Sequence, residues 1–144
     1  TTPYLIIDEQ MEQTLITAVK SGVDVRIVTP GIPDKKIVNE TTKSYYPNLI
    51  RNGVKIYEYQ PGFIHAKTFL CDDKYATVGS INLDYRSLYL HFECGVWMYK
   101  TSCIKDIKDD FIGIFAESKE AEETECGFIR QMFRGVMELL APLL

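Results

Sequence analysis

A cluster of chemically reactive side chains lies between positions 65 and 82. The segment fits the pattern H-x-K-x(4)-D-x(6)-G-S-x-N, whose specified residues are His65, Lys67, Asp72, Gly79, Ser80 and Asn82. Six specified residues at fixed spacing are difficult to reach by chance. Residues two apart on a strand point to the same side, so His65 and Lys67 are expected to project into one pocket. The pattern therefore predicts a site that combines an imidazole with a fixed positive charge.

These residue types suit displacement at a phosphodiester. A phosphodiester is an anion that repels anionic nucleophiles, whereas a neutral imidazole can attack phosphorus while a lysine binds the non-bridging oxygens. The product would be a phosphohistidine at His65. Gly79 would let the backbone approach closely, and Ser80 and Asn82 can donate hydrogen bonds to the oxygens. Because Lys67, Ser80 and Asn82 supply the charge stabilisation, neither a metal nor a cofactor is needed.

Two carboxylates near the motif are assigned different roles. A histidine that attacks through one nitrogen should hold the proton of the other nitrogen against an acceptor, and a carboxylate does this best. Glu93, on the next predicted strand, is the candidate for orienting His65. Asp72 opens a predicted turn and alternates away from the His65 face, so we interpret it as structural. His91 is interpreted as an ordinary packed or surface residue.

The elements that must position this cluster alternate along the chain. The patterns predict strands at 4–7, 23–29, 54–59, 63–71, 75–78 and 92–99, a first helix between 8 and 22, and further helices at 34–52, 102–116 and 128–144. Asp8 is expected to cap the first helix, Gly22 to end it, and Pro47 to break the second. The alternation predicts an α/β fold, with a mixed β-sheet flanked by helices on both faces.

The predicted organisation is one domain over 1–127 followed by an amphipathic helix over 128–144. Its apolar stripe favours packing on the domain or on a partner half, with membrane docking as the alternative. The helix predicted at 102–116 is expected to bury five apolar side chains, namely Ile104, Ile107, Phe111, Ile114 and Phe115. No apolar run reaches the roughly 18 to 20 residues that a membrane-spanning helix needs.

Composition narrows the function further. The chain has 144 residues, 46% of them apolar, which suffices for one core of ordinary domain size. A net charge of −4 disfavours nucleic acid as a partner, because such binding depends on Lys and Arg neutralising phosphates. The four cysteines form no C-x-x-C pair, which disfavours a zinc site. Cys71 and Cys94 are expected to be buried free thiols in a reducing compartment.

The motif resembles the HKD motif of the phospholipase D superfamily, and the segments 22–26, 53–62, 82–87 and 142–144 resemble bacterial cardiolipin synthases. The resemblance implies a phospholipase D-like α-β-α sandwich and a phosphohistidine intermediate. One motif's histidine attacks and that of a second motif protonates the leaving alcohol. In such relatives a glutamate near the position of Glu93 orients the motif histidine, and the motif aspartate, here Asp72, is mostly structural.

The resemblance also implies a substrate, partners and a location. It implies transfer of a phosphatidyl group between two phosphatidylglycerol molecules, giving cardiolipin and glycerol. The other motif would lie in a second half of the same polypeptide, at the cytoplasmic side of a bacterial cell membrane, while the 144-residue piece itself would be soluble. The first residue, Thr1, is not a methionine, which suggests the C-terminal half of a longer enzyme.

A single motif leaves two other functions open. The chain could pair its motif with that of a homodimer mate and act as a phosphodiesterase or nuclease. Alternatively, it could be a non-catalytic phospholipid-binding half-domain that uses the pocket only to hold phosphate. The intact set of His65, Lys67, Ser80 and Asn82 favours the catalytic interpretation.

Overall fold

The computed structural model describes residues 1–123 together with residues 132 and 135. The elements in chain order are β1 Leu5–Ile6, α1 Glu9–Lys20, β2 Arg26–Pro30, α2 Lys36–Arg51, β3 Lys55–Tyr59, β4 Thr68–Cys71, β5 Tyr75–Gly79, β6 Leu83–Asp84, α3 Tyr85–Tyr89, β7 Gly95–Tyr99, α4 Cys103–Ala116 and β8 Ser118–Glu120. The predicted boundary at 127 and the predicted helix 128–144 lie outside the described residues, apart from positions 132 and 135. Across the part that is described, no helix combines enough length with enough apolar character to cross a membrane.

The strands form three hydrogen-bonded sheets, which contain two, three and three strands. β1 and β6 pair in parallel, β3 lies between parallel β2 and antiparallel β8, and β5 lies between β4 and β7 with both pairings antiparallel. The N-terminal residues join these ladders. The backbone N–H of Thr2 donates to the carbonyl oxygen of Val28 at 3.0 Å, and the terminal amine of Thr1 donates to that of Thr68 at 2.7 Å. The strands that carry the motif are thus tied to the parallel strands.

Helices cover both faces of the sheet. On one face, the hydroxyl of Tyr46 in α2 hydrogen-bonds to that of Thr29 at 2.6 Å. The neighbouring Val28 points to the opposite face, as does its cross-strand partner Tyr57. The Tyr57 ring meets that of Phe115 in α4, with 4.9 Å between centroids. The predicted α/β fold with helices on both faces is therefore confirmed.

The core lies under α1 and α2. Buried apolar side chains from these helices and from the strands form one cluster, whose largest members include Leu5, Ile16, Ile27, Leu49 and Ile56. The predicted ends of α1 are confirmed. The carboxylate of Asp8 accepts the N–H of Met11 at 2.7 Å, and Gly22 takes a φ of +91°.

The predicted break at Pro47 is wrong, because α2 continues through it to Arg51. A proline inside a helix removes one hydrogen bond and crowds the carbonyl four residues earlier, here that of Lys43. Tyr46 and Leu49 are buried on either side of Pro47. Tertiary packing on both sides therefore outweighs the local preference of the chain to end the helix.

Two other predictions about burial are wrong. In α4 only Ile104 is buried, whereas Ile107, Phe111, Ile114 and Phe115 are half-buried, because the helix covers the sheet with a single stripe. The thiols of Cys71 and Cys94 are exposed rather than buried. Cys71 ends β4 beside the hairpin turn, and Cys94 precedes β7, which pairs with β5 alone among the described strands.

Candidate active site

The motif residues other than Asp72 lie at one end of the β4-β5-β7 sheet. The N–H of Gly79, the last residue of β5, donates to the carbonyl oxygen of Lys67 at 3.2 Å. The following N–H, of Ser80, donates to that of Cys94 at 2.9 Å. Beyond Gly79 the chain turns toward Cys94 and offers β4 no further partner. The strand predicted to begin at residue 63 therefore begins at Thr68, and His65 and Lys67 lie in the extended segment before it.

The structure brings His65 and Lys67 together. The ammonium nitrogen of Lys67 lies 2.9 Å from Nδ1 and 3.1 Å from Nε2 of His65, and it donates to the His65 carbonyl oxygen at 2.7 Å. The His65 ring packs on Phe63 with 5.4 Å between ring centroids. The imidazole is exposed, whereas Lys67 is only 9% exposed. A buried cation thus lies beside an imidazole that an incoming phosphate can reach.

Burial lowers the pKa of Lys67, while the carboxylates of Glu93 and Asp84 act in the opposite direction. Desolvation disfavours the charged ammonium, and nearby negative charges favour it. A bound phosphodiester would add a further negative charge beside the ammonium. The site is therefore built to attract an anion.

Ser80 and Glu93 form a second part of the site. The hydroxyl of Ser80 donates to Oε2 of Glu93 and accepts the N–H of Cys94 at 3.0 Å. Nδ1 of His91 lies 3.5 Å from Oε1 of the same carboxylate. The hydrogen bond from Ser80 is the largest of the influences that lower the pKa of Glu93. The ionised carboxylate therefore fixes the orientation of the Ser80 hydroxyl.

Glu93 occupies a different place from the one predicted. It lies in the connector before β7, which begins at Gly95, and not on the strand itself. Its carboxylate contacts Ser80 and His91, whereas the ring of His65 contacts Lys67 and Phe63. The orienting of His65 by Glu93 stays a prediction, and the observed geometry assigns Glu93 to the Ser80 hydroxyl.

Asn82 is held by the first turn of α3. Its amide nitrogen donates to Oδ2 of Asp84 at 3.0 Å, and Oδ1 of Asp84 caps α3 by accepting the N–H of Ser87 at 2.6 Å. Oδ1 of Asn82 is buried and has no hydrogen-bond partner within the described part of the chain. The amide keeps one hydrogen for a phosphate oxygen.

Asp72 lies in the turn at the far end of the hairpin. Asp72 and Asp73 have φ values of +51° and +54°, and the N–H of Lys74 donates to the carbonyl oxygen of Cys71 at 3.0 Å. Two successive left-handed residues define the type I′ turn that suits a two-residue hairpin. All of β4 separates Asp72 from Lys67, which is about 13 Å or more along the strand. Asp72 therefore lies far from Lys67, at a position that agrees with a structural role in the turn.

The lack of a side chain at Gly79 makes room for the neighbouring strand β7 rather than for a ligand. A Cβ added there would lie 2.5 Å from the carbonyl oxygen of Cys94 and 2.7 Å from the Cα of Gly95. Both contacts are with backbone atoms, so neither can be relieved by rotating a side chain. Gly79 thus permits the close approach that places Ser80 beside Glu93.

Replacing Gly79 by alanine is expected to lower the free energy of unfolding by about 1–3 kcal/mol, because the β5 and β7 backbones must separate. The matched control is Gly113→Ala in α4, where an added Cβ meets nothing within 4 Å. That control should raise stability by about 1 kcal/mol through helix propensity. Urea denaturation of both variants measures the difference, and equal midpoints would contradict the close-approach argument.

Sequence reasoning missed contacts at two residues, His91 and Asp84. His91 is exposed, which agrees with its interpretation as a packed or surface residue, but its contact with the Glu93 carboxylate was not predicted. Asp84 was not assigned to the motif, yet it holds Asn82. The signal available in the sequence was spacing, because His91 is two residues from Glu93 and Asp84 is two residues from Asn82. Among the described residues, no group of three or more His, Cys, Asp or Glu side chains is arranged to hold a metal ion.

The site and the fold together define a phospholipase D-type domain. Nuc from Salmonella typhimurium, a phospholipase D family member, superposes with a TM-score of 0.72 over 84% of this chain and 79% of that chain, at 15% identity. That likeness shows the fold. The family model described as the phospholipase D-like domain of cardiolipin synthase matches residues 1–115, so the chain belongs to this family.

Sequence relatives agree with this assignment. The cardiolipin synthase of Geobacillus thermodenitrificans is 39% identical over 147 residues, covering 99% of this chain and 29% of the relative. An uncharacterised protein of Streptococcus mutans is 50% identical over 146 residues, covering 99% of this chain and 32% of the relative. The chain therefore spans about a third of the length of the curated relatives that it matches. These likenesses support an enzyme of the phosphatidyltransferase or phosphodiesterase type.

Proposed function

We propose that the chain is the C-terminal catalytic half of a cardiolipin synthase, in which His65 carries a phosphatidyl group between two phosphatidylglycerol molecules at a bacterial cell membrane. The observation that carries the proposal is the contact between His65 and Lys67, in which a nucleophilic ring nitrogen lies 2.9 Å from a buried ammonium. An imidazole and a cation at this separation can contact the same phosphate, the imidazole at phosphorus and the ammonium at a non-bridging oxygen.

The reaction proceeds in two displacements. A ring nitrogen of His65 attacks phosphorus, the bond from phosphorus to the glycerol headgroup oxygen breaks, and glycerol leaves after accepting a proton. The hydroxyl of a second phosphatidylglycerol then attacks the same phosphorus and gives up its proton. The phosphorus–nitrogen bond breaks, which releases cardiolipin and restores the imidazole. Lys67 neutralises the oxygens throughout, and Asn82 donates a further hydrogen bond. Ser80 can add another when its hydroxyl turns from Glu93 to the phosphate.

The proton transfers need a second acid–base group, which a second half of the enzyme would supply. We assign the acid that protonates the leaving glycerol to the histidine of a partner motif, because His91, the second histidine of this chain, contacts Glu93. Leu90 and Phe92 beside His91 are exposed apolar side chains. They offer an apolar rim against which a partner half can pack. The share of the relatives' length that the chain spans is consistent with such a partner.

The first displacement can be tested without the partner. Bis(p-nitrophenyl) phosphate releases a phenolate that leaves without being protonated, so it bypasses the missing acid. The chain is expected to release one equivalent of p-nitrophenolate in a burst and then stall. Intact-mass analysis should show one added nitrophenyl phosphoryl group, localised to His65 by fragmentation. A chain that gives neither burst nor adduct would instead be a non-catalytic half-domain.

Replacing Glu93 by glutamine is expected to slow the burst about tenfold, because the Ser80 hydroxyl loses its carboxylate partner. The pKa of Glu93 is lowered, so its carboxylate is present above that pKa and is lost as the pH falls through it. The wild-type burst rate should therefore decline in acid, and Glu93→Gln should remove that component of the pH profile. Asp72→Asn is the matched control, since asparagine tolerates the left-handed turn and should leave the rate unchanged. Equal rates for Glu93→Gln and the wild type would contradict this role.

A further inference from the structure

A stacked set of exposed aromatic rings lies on one face of the hairpin and β7. The ring centroids of Tyr75 and Tyr99 lie 4.8 Å apart, those of Tyr75 and Trp97 lie 5.9 Å apart, and those of Trp97 and Tyr99 lie 6.2 Å apart. Their exposed fractions are 38% for Tyr75, 64% for Trp97 and 45% for Tyr99. We call these three residues the aromatic ladder. Packing usually buries rings of this size, so their exposure calls for a partner.

Positive charge lies at the outer end of the ladder. The ammonium of Lys100 lies 5.0 Å from the Tyr99 ring centroid, and the N–H of Lys100 donates to the carbonyl oxygen of Lys74 at 2.8 Å. Of the two turn carboxylates, Asp73 is paired with Lys108. Lys74 and Lys100 are both exposed, in a chain whose net charge is −4.

The ladder leads along the sheet to the candidate active site. Trp97 is paired with Thr77, and two residues further along each strand Gly95 is paired with Gly79, next to Ser80. Side chains two apart share a face, so the ladder and the Gly79–Gly95 pair lie on the same side of the sheet. Two residues of strand span about 7 Å, which is close to the depth of one headgroup layer, about 5–8 Å.

We infer that the aromatic ladder, with Lys74 and Lys100, is the surface through which this chain contacts a bilayer containing anionic phospholipid. Tyrosine and tryptophan rings are favoured at the headgroup level, and lysines beside them are attracted to anionic lipid. Protein interfaces also favour these rings but are depleted of lysine relative to the rest of the surface. The inference rests on the proposed function, because the lipid drawn to this surface is the substrate of the adjacent site.

The chain carries its own reporter for this contact, because Trp97 is its single tryptophan. The 144-residue chain is titrated with phosphatidylcholine vesicles and with vesicles containing phosphatidylglycerol at about one lipid in three, and tryptophan emission is recorded. With phosphatidylglycerol the emission is expected to shift to the blue, and the protein should sediment with the vesicles. Both signals should weaken as salt is added, because the attraction is electrostatic.

Two double variants test the two parts of the surface. Tyr75→Ser with Tyr99→Ser removes two rings and keeps the reporter, whereas Lys74→Gln with Lys100→Gln removes the charges. Each lysine near an anionic surface contributes about a fivefold change in partitioning, so the charge variant should bind at least about tenfold more weakly. The matched controls are Ile37→Ser for lost apolar area and Lys35→Gln with Lys36→Gln for lost charge. These exposed residues lie at the start of α2, and the controls should bind like the wild type.

Three results would overturn the inference. One is an emission spectrum that does not respond to phosphatidylglycerol vesicles. Another is equal vesicle binding by the two double variants of the surface and by the α2 controls. The third is a spectrum that is already blue-shifted without vesicles and does not change with lipid, since another part of the chain or a second copy then covers Trp97. Failure of the proposed chemistry is distinguishable, because the burst with the water-soluble diester requires no bilayer and should be unchanged in all the ladder variants.

Discussion

Replacing His65 by asparagine is expected to abolish both the p-nitrophenolate burst and the covalent adduct, lowering the first-turnover rate by about 10⁴-fold or more. Removing the nucleophile of a covalent mechanism eliminates the pathway itself, and losses of this size or greater are typical of such variants. Asparagine keeps a polar side chain beside Lys67 and lacks a nitrogen that can attack phosphorus. Because His65 is exposed, the substitution should leave the fold intact.

The matched control is His91→Asn, at the second histidine of the chain. Nδ1 of His91 lies 3.5 Å from Oε1 of Glu93. Its loss should change the rate less than about tenfold, as expected for a weak surface contact. An undiminished adduct in the His65→Asn variant would show that another residue is the nucleophile, which would refute the central proposal. An adduct on His91 in the wild type would do the same.

The predictable part of this molecule follows from short-range rules. The βα alternation, the Asp8 cap and the left-handed Gly22 depend on residues within one turn, so the sequence alone reveals them. The contact of His65 with Lys67 is similarly local, because an extended segment places side chains two apart on one side. This relation survives although the segment lies just outside β4.

The parts that sequence could not reveal depend on distant neighbours. Pro47 lies inside a helix because Tyr46 and Leu49 are buried against other elements. The contact of Glu93 with Ser80 depends on the close approach of backbones at Gly79, which the sequence does not reveal. That approach is a tertiary property, and the amino-acid pattern alone does not encode which of two nearby donors a carboxylate accepts from. The orienting of His65 by Glu93 stays a prediction.

Replacing Lys67 by methionine is expected to slow the burst by about 10²–10³-fold, the loss typical of removing one group that stabilises charge in the transition state. Methionine has a similar length and is apolar, so it suits the buried position and should keep the fold. The control is Lys36→Met, at an exposed lysine that begins α2, which should retain the wild-type rate. A Lys67→Met variant with a normal burst would show that the ammonium does not contact the phosphate.

The pH profile separates charge from shape at the same position. Lys67 acts as a cation, and burial places its pKa below the usual 10.5. The wild-type burst rate should therefore hold while the ammonium is protonated and decline as the pH rises through that lowered pKa. Arginine stays protonated over the whole range, so Lys67→Arg should lose the alkaline decline even if its different geometry lowers the plateau. A decline that persists in Lys67→Arg would assign it to another group, and charge at position 67 would then not control the attack on phosphorus.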